Sequence, residues 1–209
     1  MRSRVRWYHR LMIKGSEGRP VEHGVDRLFV DRWSPRAMSG ESISDDELFR
    51  LFEAARWAPS AGNLQPWRIL YAHRDTPNWP LFFDSLNPKN QTWCANAAVL
   101  LVFLSKTKNP ESGREILTHS YDTGAAWGSL ALQGTISGLV VHGMQGFNYE
   151  RTREVLEVPP EFAVEAMAAV GRPGPMDHLP EDLQARERPS SRRALSDTAF
   201  EGRFRHPQA

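Results

Sequence analysis

The chain has 209 residues, 40% hydrophobic and 10% aromatic, enough for one sizeable core, and its 24% charged residues make an ordinary polar surface. Lys plus Arg number 26 against 25 Asp plus Glu, a formal net charge of +1, so nothing in the balance asks for a nucleic-acid partner and any positive site must be local. The longest continuous apolar run, Ala97 to Leu104, is far short of the roughly 20 residues a bilayer crossing needs, so no membrane span is expected.

Residues 1–23 carry Arg2, Arg4, Arg6, Arg10, Lys14 and Arg19 against Glu17 and Glu22, and read as a basic, poorly ordered arm. Its only apolar stretch is Leu11-Met12-Ile13, so a secretory leader is not expected. The one cysteine, Cys94, allows no internal disulfide and suits a reducing cytoplasm, the expected compartment. Between Trp93 and Ala95 and ahead of an apolar run, it reads as a small buried residue rather than a nucleophile.

Arg32-Trp33-Ser34-Pro35-Arg36 follows a predicted helix. In extended backbone residues 32, 34 and 36 face the same way, so two cationic forks flank a hydroxyl over about 13 Å, an arrangement suited to an anion or to both ends of a larger ligand. The alternative is a solvated loop whose arginines pair with Asp31 or Glu41. Ser44 with Glu47 three residues on is a capping box, and Leu48, Leu51, Phe52, Ala55 and Ala58 then share a helical face that Pro59 ends. Ser60, Asn63 and Gln65 crowd the following loop with donors and acceptors of the kind a heteroaromatic ring requires; turn chemistry alone accounts for Pro59 to Asn63.

Ile69 to Ala72 and Ala97 to Leu104 are short apolar runs that predict buried strands. Glu111 to Gly138 predicts one long helix, apolar around much of its circumference from Gly124 onward, with Gly124, Gly128 and Gly134 leaving room for another backbone; such a helix is expected at the centre of the molecule or of a dimer. Leu139 to Met144 predicts a strand, Tyr149 to Glu157 a helix, and Ala163 to Val170 a strand. Prolines 173, 175, 180 and 189 then preclude a long helix and predict an extended tail leaving the body. Strands interleaved with helices, some too close for right-handed crossovers, indicate an α+β fold.

Several chemistries lack their motifs. The seven histidines show neither helical i, i+4 pairing nor cysteine partners, so no metal site is expected. Gly-x-Ser-x-Gly, Gly-x-Gly-x-x-Gly and the Walker loop are all absent, so a nucleotide-like cofactor would be held by side chains rather than by a glycine cradle.

Arg-x-Ser-x-Arg at 32–36, followed by the helix and loop running Glu53-Ala54-Ala55-Arg56-Trp57-Ala58-Pro59-Ser60-Ala61-Gly62-Asn63-Leu64-Gln65-Pro66-Trp67, resembles the FMN-dependent nitroreductase family. Asn90-Gln91-x-Trp93, Asp122-x-Gly124-x-Ala126, Gly146-Phe147, Gly171-x-Pro173 and Arg192-Arg193-x-Leu195 continue the resemblance in order. It implies a mostly antiparallel sheet surrounded by helices in an intertwined homodimer, with FMN at the subunit interface. Residues 24–173 would form the flavin-binding domain and 174–209 a tail embracing the partner.

On the family pattern Arg32 and Ser34 meet the phosphate and ribityl end, and Arg36 approaches flavin N1 and the C2 carbonyl. Ser60, Ala61 and Asn63 come from the other subunit, Asn90 contacts the ring, the Gln145-Gly146 backbone lies near N5, and Arg192 closes on the phosphate. Trp33 and Arg193 complete the cofactor-facing set. Trp67 is read as packing. His142 and Met144 depart from the residues common in relatives and mark a reshaped pocket; His142, Trp93 and Trp127 are either structural or substrate-facing. The implied activity is ping-pong transfer of hydride from NADH or NADPH, through flavin, to a small aromatic or conjugated acceptor. The alternatives are a flavin-binding or flavin-modifying relative without nicotinamide turnover, and a helical interaction module.

Overall fold

The computed structural model describes residues 14–204; Arg2, Arg4, Arg6, Arg10 and Met12 of the basic arm lie outside the described residues. The elements in chain order are α1 (Arg27–Asp31), α2 (Asp45–Arg56), β1 (Trp67–His73), α3 (Trp79–Phe83), α4 (Pro88–Cys94), β2 (Val99–Lys106), α5 (His119–Ile136), β3 (Val140–Met144), α6 (Tyr149–Val155), β4 (Phe162–Gly171) and α7 (Glu181–Gln184). The strands form one sheet in the order β1-β2-β4-β3, every neighbouring pair antiparallel. This is the expected α+β arrangement.

β2 has no polar side, because both of its faces are covered. Val99, Leu101 and Phe103 pack with Leu48 and Leu51 of α2 and Leu130 of α5. Leu100, Val102 and Leu104 pack on the opposite face with Phe82, Trp93 and Leu179. Each such side chain contributes about 1.5–3 kcal/mol on burial, so the two faces of β2 supply a large favourable burial contribution. α2 carries the anticipated reciprocal cap: Glu47 N donates to Ser44 Oγ (3.3 Å) and Ser44 N to Glu47 Oε2 (2.9 Å).

The long helix begins eight residues later than its periodicity predicts. Asn109 Oδ1 accepts from the amides of Glu111 and Ser112, Gly113 takes a φ of +68°, and Lys108 bridges Glu115, so residues 109–115 close a turn instead. Of its three glycines, Gly134 permits a close approach inside the chain, since a Cβ there would stand 2.4 Å from Val141 Cγ2; Gly124 and Gly128 face open space. Helices α3 and α4 carry no periodic signal; α3 has Pro80 at its second position and α4 begins on Pro88, residues that suit a first helical turn.

The tail leaves the body later than its prolines suggest. Leu179 is buried in the core and Glu187 against residues 36 and 37 of its own chain, whereas residues 191–196 are exposed.

Candidate flavin site

Arg32 closes α1 by donating its amide to Leu28 O and then turns extended, with φ −63° and ψ 123°. The turn puts Arg32 and Ser34 on one side, as the alternation predicts, with Arg32 Nη1 3.3 Å from Ser34 Oγ and Trp33 partly buried between them. Arg36 takes neither acidic partner of the solvated-loop alternative. Asp31 accepts from Ser16 N, and Glu41 lies 3.8 Å from Arg172. Arg36 instead lies 3.6 Å from Glu187 Oε2, while Glu187 Oε1 accepts from the amides of Arg36 (2.6 Å) and Ala37 (2.9 Å).

From this segment a continuous run of contacts reaches the end of β3. The His142 ring hydrogen-bonds through Nδ1 to the Pro35 carbonyl (2.9 Å) and sits 4.5 Å, centroid to centroid, from Trp93. Trp93 donates to Asn90 Oδ1 (3.2 Å), and Asn90 Nδ2 donates to Gly146 O (2.9 Å). A Cβ at Gly146 would fall 2.5 Å from Asn87 Nδ2 and 2.7 Å from Asn90 Nδ2, so any side chain there would displace the two amides. Gln145, beside it, is exposed. Arg32, Trp33, Ser34 and Arg36 thus stand at one end of a run of contacts along the β3 edge, and Asn90, Gln145 and Gly146 at the other, all within one chain.

Burial pushes His142 down to about 4; its bond to Pro35 opposes the shift and the Arg36 charge reinforces it, so the ring is neutral at pH 7. Its hydrogen bond and ring contact give it a structural role. Trp127 covers Gly143, where a Cβ would lie 2.7 Å from the indole, and Trp93 is buried, so both tryptophans pack. Burial likewise raises the Cys94 thiol, 3.8 Å from Met144 Sδ. Among the described residues no three His, Cys, Asp or Glu side chains gather to hold a metal ion.

Arg192 Nη1 donates to the Ser190 and Ser191 carbonyls, 3.3 and 3.0 Å away. Burial first, then the charges of Arg192 and Arg19, hold the Arg32 guanidinium below the ordinary arginine value. Arg193 is exposed next to Arg192. No local motif marks Arg19 or Glu187: Arg19 bonds backbone carbonyls at residues 30, 32 and 190, and Glu187 the amides of residues 36 and 37.

The loop at 60–65 is shaped separately. Gly62, Asn63 and Gln65 all adopt left-handed φ values of 55°, 56° and 48°, a conformation that Gly and Asn tolerate best. Ser60 Oγ accepts from Gln65 N (3.0 Å) and Asn63 Oδ1 from Gln65 Nε2 (3.2 Å). Buried Asp122 accepts from Ala61 N (3.2 Å) and Thr118 Oγ1 (3.1 Å), fixing the loop to the start of α5. The loop leads into β1, one edge strand, whereas Gln145 follows β3, the other edge, about 14 Å away at three strand spacings. Within one chain, then, Ser60, Ala61 and Asn63 do not join the Arg32–Gly146 group.

The profile of the nitroreductase family matches residues 30–78, which span the Arg-Ser-Arg segment, α2 and the 60–65 loop. A crystal structure of an FMN-containing oxidoreductase is 46% identical, covers 93% of this chain and all of its own, and superposes with a TM-score of 0.88. The chain belongs to the nitroreductase family. A nitroreductase-type protein from Desulfovibrio desulfuricans, crystallised with FMN, shares the fold at 22% identity and a TM-score of 0.68, covering 88% of this chain and all of its own. A Streptomyces coelicolor protein provisionally named as an NADH dehydrogenase/NAD(P)H nitroreductase is 34% identical over 83 residues, 40% of each chain. A 15.4 kDa protein from Mycolicibacterium smegmatis is 32% identical over 114 residues, 54% of this chain and 75% of that one. The nitroreductase fold thus places the two halves of the motif set on opposite edges of one antiparallel sheet.

Proposed function

We propose that this nitroreductase-family oxidoreductase binds FMN between two copies of the chain and passes hydride from NADH or NADPH to a small aromatic or conjugated acceptor. The observation that carries the reading is the meeting of Arg19 and Arg192 on the Ser190 carbonyl, with Arg19 also bonded to Arg32 O, at one end of an extended segment that ends in Arg36 and whose Pro35 carbonyl holds His142 of β3. A cationic end about 13 Å from a second guanidinium fits a phosphate joined by a ribityl chain to a flat polar ring.

Bound FMN supplies reversible hydride acceptance at N5. The chain supplies the rest. Arg32, Ser34 and Arg192 hold the phosphate end, with Trp33 and Arg193 beside them. Arg36 faces the pyrimidine edge as a fixed positive charge, an electrostatic stabiliser and not an acid or base. Asn90 fixes the Gly146 carbonyl and so the backbone of Gln145 and Gly146, which would meet the ring. Ser60, Ala61 and Asn63 close the site from the partner.

The outward face of α5 supports the second copy. Leu117 just before it, then Tyr121, Gly124, Gly128, Leu132 and Ile136, recur every three or four residues, and Leu117 and Tyr121 are 87% and 81% exposed. An apolar stripe of that length flanked by open glycines suits a like surface on another copy. Its N-terminal end is where Asp122 anchors the 60–65 loop.

Anaerobic titration of the purified protein with NADH and then NADPH tests the activity. Loss of the flavin absorbance with either donor, restored by a nitroaromatic or quinone, is expected; a flavin that no nicotinamide reduces would instead identify a flavin-binding relative without nicotinamide turnover.

A further inference from the structure

Arg19 lies in the segment read from sequence as a loose arm, yet its guanidinium joins three parts of the chain. Nη1 donates to the Val30 and Arg32 carbonyls (2.7 and 2.9 Å) and Nε to the Ser190 carbonyl (2.8 Å). The Ser190 oxygen also accepts from Arg192 (3.3 Å), so one carbonyl brings two guanidiniums together, and the bond to Arg32 O ties this pair to the backbone of residue 32, whose own side chain feels both charges. Gly15 makes this possible: a Cβ there would stand 2.0 Å from Val30 O and 2.6 Å from Arg19 Nη1. A second tie runs from Leu195 N to Glu22 Oε1 (2.9 Å).

The electrostatics agree with the geometry. Burial, then the Arg192 charge, holds Arg19 below the ordinary arginine value, and Asp31 opposes this only in part, its carboxylate already accepting from Ser16 N. Like charges held together by backbone carbonyls are a standing electrostatic cost that a dianion at their centre reverses.

We propose that Arg19 is a third cationic residue at the phosphate end of the site and the latch that holds the tail, with Arg192, against Arg32. The ligand class is a phosphate monoester dianion. The inference rests on the FMN reading for the identity of that ligand, not for the latch.

The test uses full-length apoprotein with Arg19→Gln and Arg19→Lys. Flavin fluorescence gives the affinities for FMN and for riboflavin, which lacks the phosphate, and trypsin reports the tail through cleavage after Arg192 and Arg193. Arg19→Gln should weaken FMN about tenfold and leave riboflavin within about twofold. Its tail should be cut several-fold faster. Arg19→Lys should recover part of the FMN affinity, through charge, but not the tail protection, since one ammonium nitrogen cannot replace both Nη1 on Val30 and Arg32 and Nε on Ser190.

Equal weakening of both flavins, or FMN binding and tail cleavage unchanged in both variants, would overturn the proposal. If the wild-type protein binds neither flavin, the FMN reading fails, and inorganic phosphate becomes the probe. Phosphate that slows tail cleavage in wild type but not in Arg19→Gln supports the latch; phosphate without effect on either overturns it.

Discussion

Glu187 and Arg36, 151 positions apart in sequence, share one buried contact: the carboxylate lies 3.6 Å from the guanidinium and accepts the Arg36 and Ala37 amides. The tail thereby fixes the backbone and the charge of the residue assigned to the flavin pyrimidine edge. Glu187→Ala leaves two amides and a cation without their acceptor, and should cost about 2–4 kcal/mol in denaturant unfolding of the apoprotein. Glu187→Gln keeps an acceptor oxygen and should cost less. Because it removes the negative charge facing Arg36, it should also move the flavin midpoint potential upward in a spectroelectrochemical titration; an unchanged potential would separate Arg36 from the flavin.

Arg32 and Arg36 should fail differently. Arg32→Ala removes a phosphate ligand and should yield protein that purifies with little flavin. Arg36→Ala should retain flavin but slow anaerobic reduction by NAD(P)H about ten- to a hundredfold, the scale of one electrostatic stabiliser. Stopped-flow absorbance measures both, and full occupancy in Arg32→Ala would refute its assignment.

His142 gives the fold a pH signature. Its pKa falls from about 6.5 in the unfolded chain to about 4 in the folded protein, so between these values the unfolded state binds more protons. Its contribution is complete above pH 6.5 and is lost as the pH falls through 4, with a slope of at most about 1.4 kcal/mol per pH unit. Chemical denaturation across this window should be flatter in His142→Asn than in wild type. Identical slopes would show that His142 does not carry the dependence.

Local patterns in the sequence account for much of this architecture. The Ser44–Glu47 box, the apolar runs that became β1, β2, β3 and β4, and the alternation at 32–36 are all properties of a few neighbouring residues, and each is found in the structure. What stayed hidden depends on distance. Glu187 sits among tail charges that look solvated and Arg19 in a segment that looks loose, yet Glu187 caps amides 151 and 150 residues away and Arg19 joins residues 30 and 32 to Ser190, 171 residues on. Helix α5 is shorter than its apolar pattern predicts because side chains of the 109–115 turn supply hydrogen bonds that the pattern does not reveal. The placement of Ser60, Ala61 and Asn63 opposite Arg32 is a matter of strand order, which no single segment encodes.

The exposed stripe on α5 should govern assembly. Tyr121→Glu with Ile136→Glu places carboxylates at two of its exposed positions without disturbing the core, and should give a folded monomer by sedimentation that has lost flavin. A variant that stays dimeric with flavin bound would place the interface elsewhere.

The central claim, that each flavin site draws its two halves from different chains, is tested most directly by mixing two damaged proteins. Arg32→Ala and Ala61→Trp should each bind little FMN alone. Refolded together in equal amounts, half of the dimers are mixed, and in each mixed dimer one site carries both lesions and the other neither, so FMN binding should return to about a quarter of the wild-type level. If the two mutated residues belonged to the same site of a single chain, no mixed dimer would contain an intact site, and a mixture that binds no more FMN than its components would contradict the account.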